Sequence, residues 1–143
     1  DEKKTAETFR EVDGTRYSFP GDYAKLEADG TITLLGRGSN CINSAGEKIY
    51  PEEVEEAIKR NDEVFDCLVV GVDDDKFGQK VVAVASLTEG FEISESDLIE
   101  STRTFIAGYK LPKKLILVDN VQRAPNGKAD YKWAKEIANK HTN

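Results

Sequence analysis

Methionine is missing from this 143-residue chain, histidine occurs once, and cysteine only twice. Cys41 and Cys67 stand apart from each other, and His141 lies close to the last residue. A zinc site needs several soft ligands at close spacing, and a small secreted scaffold needs more cysteines, so neither class applies. No apolar run approaches the roughly 18 residues of a membrane-spanning helix, and no signal-peptide pattern opens the chain. A basic stripe is lacking too: Asp and Glu outnumber Lys and Arg by 27 to 20, leaving a net charge of -7. That balance argues against nucleic acid as the main partner. There are no internal repeats and no low-complexity tracts. A cytoplasmic protein is expected, with peripheral attachment to a membrane left open. The missing initiator methionine, with charged helix-like sequence from Asp1 onward, leads us to expect a piece of a longer protein.

What is present is ordinary globular sequence, 38% hydrophobic and 33% charged, enough for one domain and a little more. Residues 2–11 have the pattern of a short helix with Ala6, Phe9 and Val12 on its apolar side. Residues 25–35 alternate about Asp29-Gly30, a dipeptide suited to a two-residue hairpin turn. Residues 36–46 are a polar loop with three glycines. Pro51, followed by Glu52, Glu53, Glu55 and Glu56, marks a helix start, and Val54, Ala57 and Ile58 share its apolar face. Strands follow at 64–72 and 80–87, with Cys67 as a buried thiol among valines and leucine. Ser94 and Asp97 form a capping-box start for a helix to about Ala107, ended by Gly108. A strand at 114–118, a polar loop at 122–128 and a helix from Asp130, burying Trp133, Ile137 and Ala138, complete the order. Adjacent strand pairs read as antiparallel, which gives an α+β fold: a short β-sheet packed with helices, preceded by a β-hairpin.

Three segments carry chemical potential. Asp22, in Pro20-Gly21-Asp22, presents a carboxylate from a turn, where it can accept two hydrogen bonds from a vicinal diol such as ribose. Arg37, in Gly36-Arg37-Gly38-Ser39-Asn40, offers a planar donor fork for phosphate or ribose, and the small residues of Ser44-Ala45-Gly46-Glu47-Lys48 let backbone approach a ligand closely. Lys128 ends the flexible Pro125-Asn126-Gly127-Lys128 loop, from which one point charge can be delivered and withdrawn. Each segment, taken alone, is also an ordinary turn, helix-capping loop or solvated lysine.

Together and in this order the three resemble the C-terminal portion of the adenylate-forming superfamily, and within it the bacterial fatty-acyl-CoA ligases. Asp75-Lys76-Phe77-Gly78-Gln79 and Gly108-Tyr109-Lys110-Leu111-Pro112 extend the resemblance over essentially the whole chain. It implies a lid fragment of an ATP-dependent acyl-CoA ligase, inactive alone, in which residues 1–36 are the tail of a large N-terminal adenylation domain and 37–143 the mobile small domain. Lys128 would bridge the substrate carboxylate and the α-phosphate of ATP, Asp22 would bind the ribose hydroxyls, and Arg37 would stand beside it. Ser39 would be the hinge, at a position where the family usually has Asp or Lys. Ser44, Ala45, Gly46 and Glu47 would line the path of the coenzyme A (CoA) thiol. ATP, CoA and a carboxylic acid are the implied small molecules. Mg2+ would be bound mainly by the large domain, with no metal site in this chain. Two alternatives stay open: an adenylation domain that loads a carrier protein, and a non-catalytic interaction module of the same fold.

Overall fold

The structure, a computed structural model, describes residues 1–142 and divides into two units, Asp1–Ser39 and the residues from Asn40 onward. In the first unit the helix α1 (Glu2–Thr8) begins at Asp1, whose carboxylate accepts the Lys4 N–H at 3.3 Å. It is shorter than expected. Phe9 is already extended and opens β1 (Phe9–Val12), which pairs antiparallel with β2 (Thr15–Ser18). Asp13 and Gly14 join them with φ of 51° and 75°, the two left-handed positions of a tight hairpin. Phe9 and Val12 therefore lie on a strand, not on a helix face.

The second hairpin pairs β3 (Asp22–Leu26) with β4 (Ile32–Arg37). Its turn also departs from expectation, because only Gly30 takes a positive φ, 86°. Glu27 O accepts the Gly30 N–H, and the Asp29 carboxylate accepts both the N–H and the hydroxyl of Thr31, at 3.0 and 2.7 Å. The aspartate acts through its side chain, and the loop spans three residues, 28–30.

The second unit follows from two uninterrupted apolar runs, at 67–70 and 81–85, the pattern of strands covered on both faces. Its elements are β5 (Ile42–Ser44), β6 (Glu47–Ile49), α2 (Pro51–Ile58), β7 (Val64–Asp74), β8 (Gly78–Leu87), α3 (Glu95–Thr102), β9 (Lys114–Leu117) and α4 (Tyr131–Thr142). β7 and β8 pair antiparallel, Cys67 opposite Ala85 and Val70 opposite Val82. Along its other edge β8 meets β5 at its first residue and β9 over Val82, Ala83, Val84 and Ala85. The β8–β9 pair is parallel, because the α3 segment makes a crossover between them.

Alternation along the strands builds two cores. Cys67, Val69, Val81, Ala83 and Ala85 face Val54 and Ile58 of α2 and Leu98 of α3. Leu68, Val70, Val82 and Val84 face Ala134 and Ala138 of α4. The sheet is thus a central layer between helices, with Cys67 fully buried. α3 stops at Thr102 because the Ser101 and Thr102 hydroxyls bond back to Leu98 O, at 3.0 and 2.7 Å, and the following N–H groups take i−3 partners. Lys110 then ties its 3-10 turn to α2 through both oxygens of Glu53, at 2.6 and 2.7 Å. No helix among the described residues is long and apolar enough to cross a membrane.

Candidate functional site

In the first unit, Gly21 turns with φ of 84° and sets Asp22 as the first residue of β3, directly opposite Arg37 on β4. The Arg37 Nε donates to Asp22 Oδ1 at 3.2 Å. The pair is solvent-facing, so it is worth little to stability. A Cβ at Gly38 would lie 2.5 Å from the half-exposed Tyr23 ring, which would have to shift. Ser39 follows, exposed, within the 3-10 turn Gly38–Asn40 at the end of this unit.

The remaining candidates lie in the second unit. The sequence at 36–46 is more regular than the loop expected, since β4 reaches Arg37 and β5 begins at Ile42. Ser44 pairs with Glu47 across β5 and β6, and the turn residues Ala45 and Gly46 both have positive φ, 52° and 85°. Alanine tolerates that conformation at a cost of about 1 kcal/mol, and three contacts over-determine it. The Ala45 N–H donates to Phe77 O at 2.8 Å, the Asn43 N–H donates to Gln79 Oε1 at 2.9 Å, and Ser44 pairs with Gly78. Asp74 shapes that β7–β8 connection in turn, its Oδ1 accepting the N–H groups of Lys76 and Phe77. Ala45, Gly46 and Glu47 are exposed, and Ser44 is buried.

Lys128 lies between β9 and α4 on a closed turn. Ala124 N–H donates to Lys128 O at 2.9 Å, Gly127 N–H to Ala124 O at 2.8 Å, and Lys128 N–H to Asn126 Oδ1 at 3.1 Å. Its side chain is exposed, and its ammonium has no hydrogen-bond or ion-pair partner among the described residues. Asp22, Arg37 and Ser39 thus belong to one unit, and Ser44, Ala45, Gly46, Glu47 and Lys128 to the other.

Two polar clusters escaped the sequence reading. The Arg123 guanidinium, close to the lysine turn, forks onto Asp66 of β7 at 2.6 and 2.7 Å. Burial works to raise the Asp66 carboxyl, but the Arg123 fork and the Cys67 N–H outweigh it and hold it below the usual range. Glu55, on α2, is buried and accepts the Val69 N–H at 2.9 Å and the Tyr131 hydroxyl at 3.4 Å. Burial pushes its carboxyl up to about 7, and also pushes the Tyr131 hydroxyl upward. Nothing marks Glu55 in a run of four glutamates that resembles a solvated first turn. Arg123 had one available signal, its place five residues before Lys128. Among the described residues, no cluster of three or more His, Cys, Asp or Glu side chains is arranged to hold a metal ion.

The chain is 59% identical over 137 residues to a Medium/long-chain-fatty-acid--CoA/3-oxocholest-4-en-26-oate--CoA ligase of Mycolicibacterium smegmatis, covering 96% of this chain and 25% of that protein. It is 57% identical over 136 residues to a 3-oxocholest-4-en-26-oate--CoA ligase of Rhodococcus rhodochrous, covering 95% and 24%. The chain therefore spans about a quarter of the length of these relatives. The crystal structure of ATP-bound MatB from Rhodopseudomonas palustris superposes with a TM-score of 0.80 at 30% identity, over 99% of this chain and 28% of that one. The family described as AMP-binding enzyme C-terminal domain matches residues 53–128, more than half of the sequence. From α2 through the lysine turn the match takes in α3 and the strands β7, β8 and β9, and the chain belongs to the AMP-binding enzyme C-terminal domain family.

Proposed function

We propose that this chain is the lid of an ATP-dependent acyl-CoA ligase. Such an enzyme joins a carboxylic acid to ATP, giving an acyl-adenylate and pyrophosphate, and then lets the CoA thiol displace AMP. The carrying observation is the placement of two elements on one rigid strand pair. The Ala45-Gly46 hairpin sits where β7 ends and β8 begins, at Asp74 and Gly78, whereas the lysine turn is fastened to Asp66. Asp66 and Asp74 are eight residues apart along β7, about 26 Å at the rise of a strand. A unit this rigid cannot bring both ends to one reacting centre at once. It serves two steps by reorienting between them, one end for each.

In this reading Lys128 supports the first step by balancing the charge that accumulates as a carboxylate and a triphosphate approach each other. Its exposed ammonium, on a turn closed by three hydrogen bonds, suits that task. Asp22 receives the ribose hydroxyls, with Arg37 beside it. Ser39 is the hinge between residues 1–36, which complete the large adenylation domain, and the mobile domain 37–143. Ser44, Ala45, Gly46 and Glu47 face the CoA thiol in the second step. Mg2+ belongs to the large domain. The names of the relatives favour a hydrophobic substrate, a fatty acid or a sterol-derived carboxylate. The cytoplasm is the proposed compartment. In the longer enzyme, Lys128→Ala is expected to slow acid-dependent ATP–pyrophosphate exchange by about 100-fold or more. Thioester formation from a supplied acyl-adenylate should stay within a few-fold. Equal loss of both half-reactions would refute the assignment.

A further inference from the structure

The turn that carries Lys128 is shaped by its own bonds but not located by them. Apart from one contact with Arg123, Ala124, Asn126, Gly127 and Lys128 bond among themselves, and Gln122 reaches Asp130, at 3.2 Å. Val121, Ala129 and Tyr131 pack against the α4 face of the sheet, so the flanks are anchored while residues 125–128 project into solvent. Arg123 bridges the two. Its Nε donates to Asp66 Oδ2 at 2.7 Å, its Nη2 to Asp66 Oδ1 at 2.6 Å, and its Nη1 to the carbonyl of Gly127 at 3.3 Å. All three guanidinium nitrogens are engaged, two on the sheet and one on the peptide that immediately precedes Lys128. Asp66 is itself oriented, since its Oδ1 also accepts the Cys67 N–H at 2.8 Å.

We propose that Arg123 is a positioning residue: through Asp66 it fixes the Lys128 turn to β7, so that the lysine arrives at a defined place relative to the sheet. The inference rests on the reading of Lys128 as the adenylation lysine and extends it to the residues that aim it. The planar fork is essential, because an ammonium has no fixed geometry with which to hold a carboxylate and a carbonyl at the same time. A partly exposed ion pair adds little to global stability. Misplacement of a catalytic group by about 1 Å, by contrast, can cost on the order of 100-fold in rate. The signature of positioning is therefore a large effect on one half-reaction with a small effect on unfolding.

The test has two arms. In this 143-residue chain, amide hydrogen exchange is followed for Arg123→Ala, Arg123→Lys and Asp66→Asn. Ala124 and Gly127 should lose about tenfold or more of their protection while Val82 and Val84 in the sheet keep theirs. In the longer ligase, the same variants should slow acid-dependent ATP–pyrophosphate exchange by about 10- to 100-fold, Arg123→Lys the least. Thioester formation from supplied acyl-adenylate should stay within a few-fold. Unchanged protection of Ala124 and Gly127 would overturn the tether, and equal slowing of both half-reactions would reduce Arg123 to a structural role. If Lys128→Ala left exchange intact, the lysine assignment would fall and the positioning role with it, whereas the amide measurement would still judge the tether alone. Asp66→Asn keeps an acceptor for the Cys67 N–H, so it reports even where an arginine variant folds poorly.

Discussion

Between Asp1 and Ser39 a single residue, Gly36, is buried, whereas every buried hydrophobic side chain lies at Ile42 or beyond. The first unit is held by backbone ladders and by local caps such as Asp29 on Thr31. The second is held by side chains packed against both faces of a sheet. Ala24, Leu26, Ile32 and Leu34 share one face of the β3–β4 hairpin, and the last three are about 70% exposed, at 73%, 71% and 68%. An apolar face of that kind is normally covered, which supports the proposal that residues 1–36 complete a larger domain. A two-stranded ribbon alone is marginal in water.

The sharpest way to break this contrast is a matched pair of truncations. Leu98→Ala, at a fully buried position between α3 and the sheet, is expected to cost 2–5 kcal/mol of unfolding free energy, about the range for emptied leucine sites. Leu34→Ala, in the same chain, should stay within about 0.5 kcal/mol. Urea denaturation measures both. Comparable losses would mean that the first unit has a core of its own.

A smaller effect, opposite in sign between the two units, is expected from pH. Glu55 has its carboxyl raised by burial from 4.5 to about 7. A group raised in the folded state binds more protons folded than unfolded, so its contribution is complete below about 4.5 and is lost as pH rises through 7. The loss is on the order of 3 kcal/mol at most. Glu55→Gln, which keeps an acceptor for the Val69 N–H, should flatten that slope. Glu27 and Asp29 behave in the reverse sense. Lys25 and Thr33 lower the first and Thr31 lowers the second, so the hairpin contribution is present above the ordinary carboxylate range and is lost on acidification. Tryptophan fluorescence from Trp133, beside the α4 core, and NMR of the hairpin amides separate the two profiles. A Glu55→Gln variant with the parent slope would remove the buried carboxyl from the account.

Why some of this was legible in the sequence and some was not follows from the same contrast. Cys67, Val54, Ile58 and the paired apolar runs sit where periodicity placed them, because burial is what hydrophobic pattern encodes. Local chemistry misled. Of two Asp-Gly dipeptides, the one at 13–14 makes the two-residue turn, while Asp29 spends its side chain on Thr31 and leaves only Gly30 left-handed. The parallel register of β9 was invisible, since short strands carry no mark of direction. Lys128, Asp22 and Arg37 entered as candidates through their motifs. Arg123 and Glu55 were not, because their roles depend on partners 57 and 14 residues away.

The smallest expected effect concerns hydroxyls, and it separates the units most finely. Thr33 donates to Glu27 at 2.8 Å on an exposed hairpin face, where water competes for both partners, so Thr33→Ala should cost only a few tenths of a kcal/mol, well below about 1. Ser86 is 1% exposed, and its Oγ has no hydrogen-bond partner among the described residues. An unsatisfied buried hydroxyl is a penalty already present in the native state, and Ser86→Ala removes it at the expense of little volume. That variant should therefore raise the unfolding free energy by about 1 kcal/mol, readable as a rise in the urea midpoint at unchanged m-value. A fall instead of a rise would mean that the hydroxyl is satisfied by water inside the second unit, and that its core is less dry than the packing of Val82, Val84 and Ala138 implies.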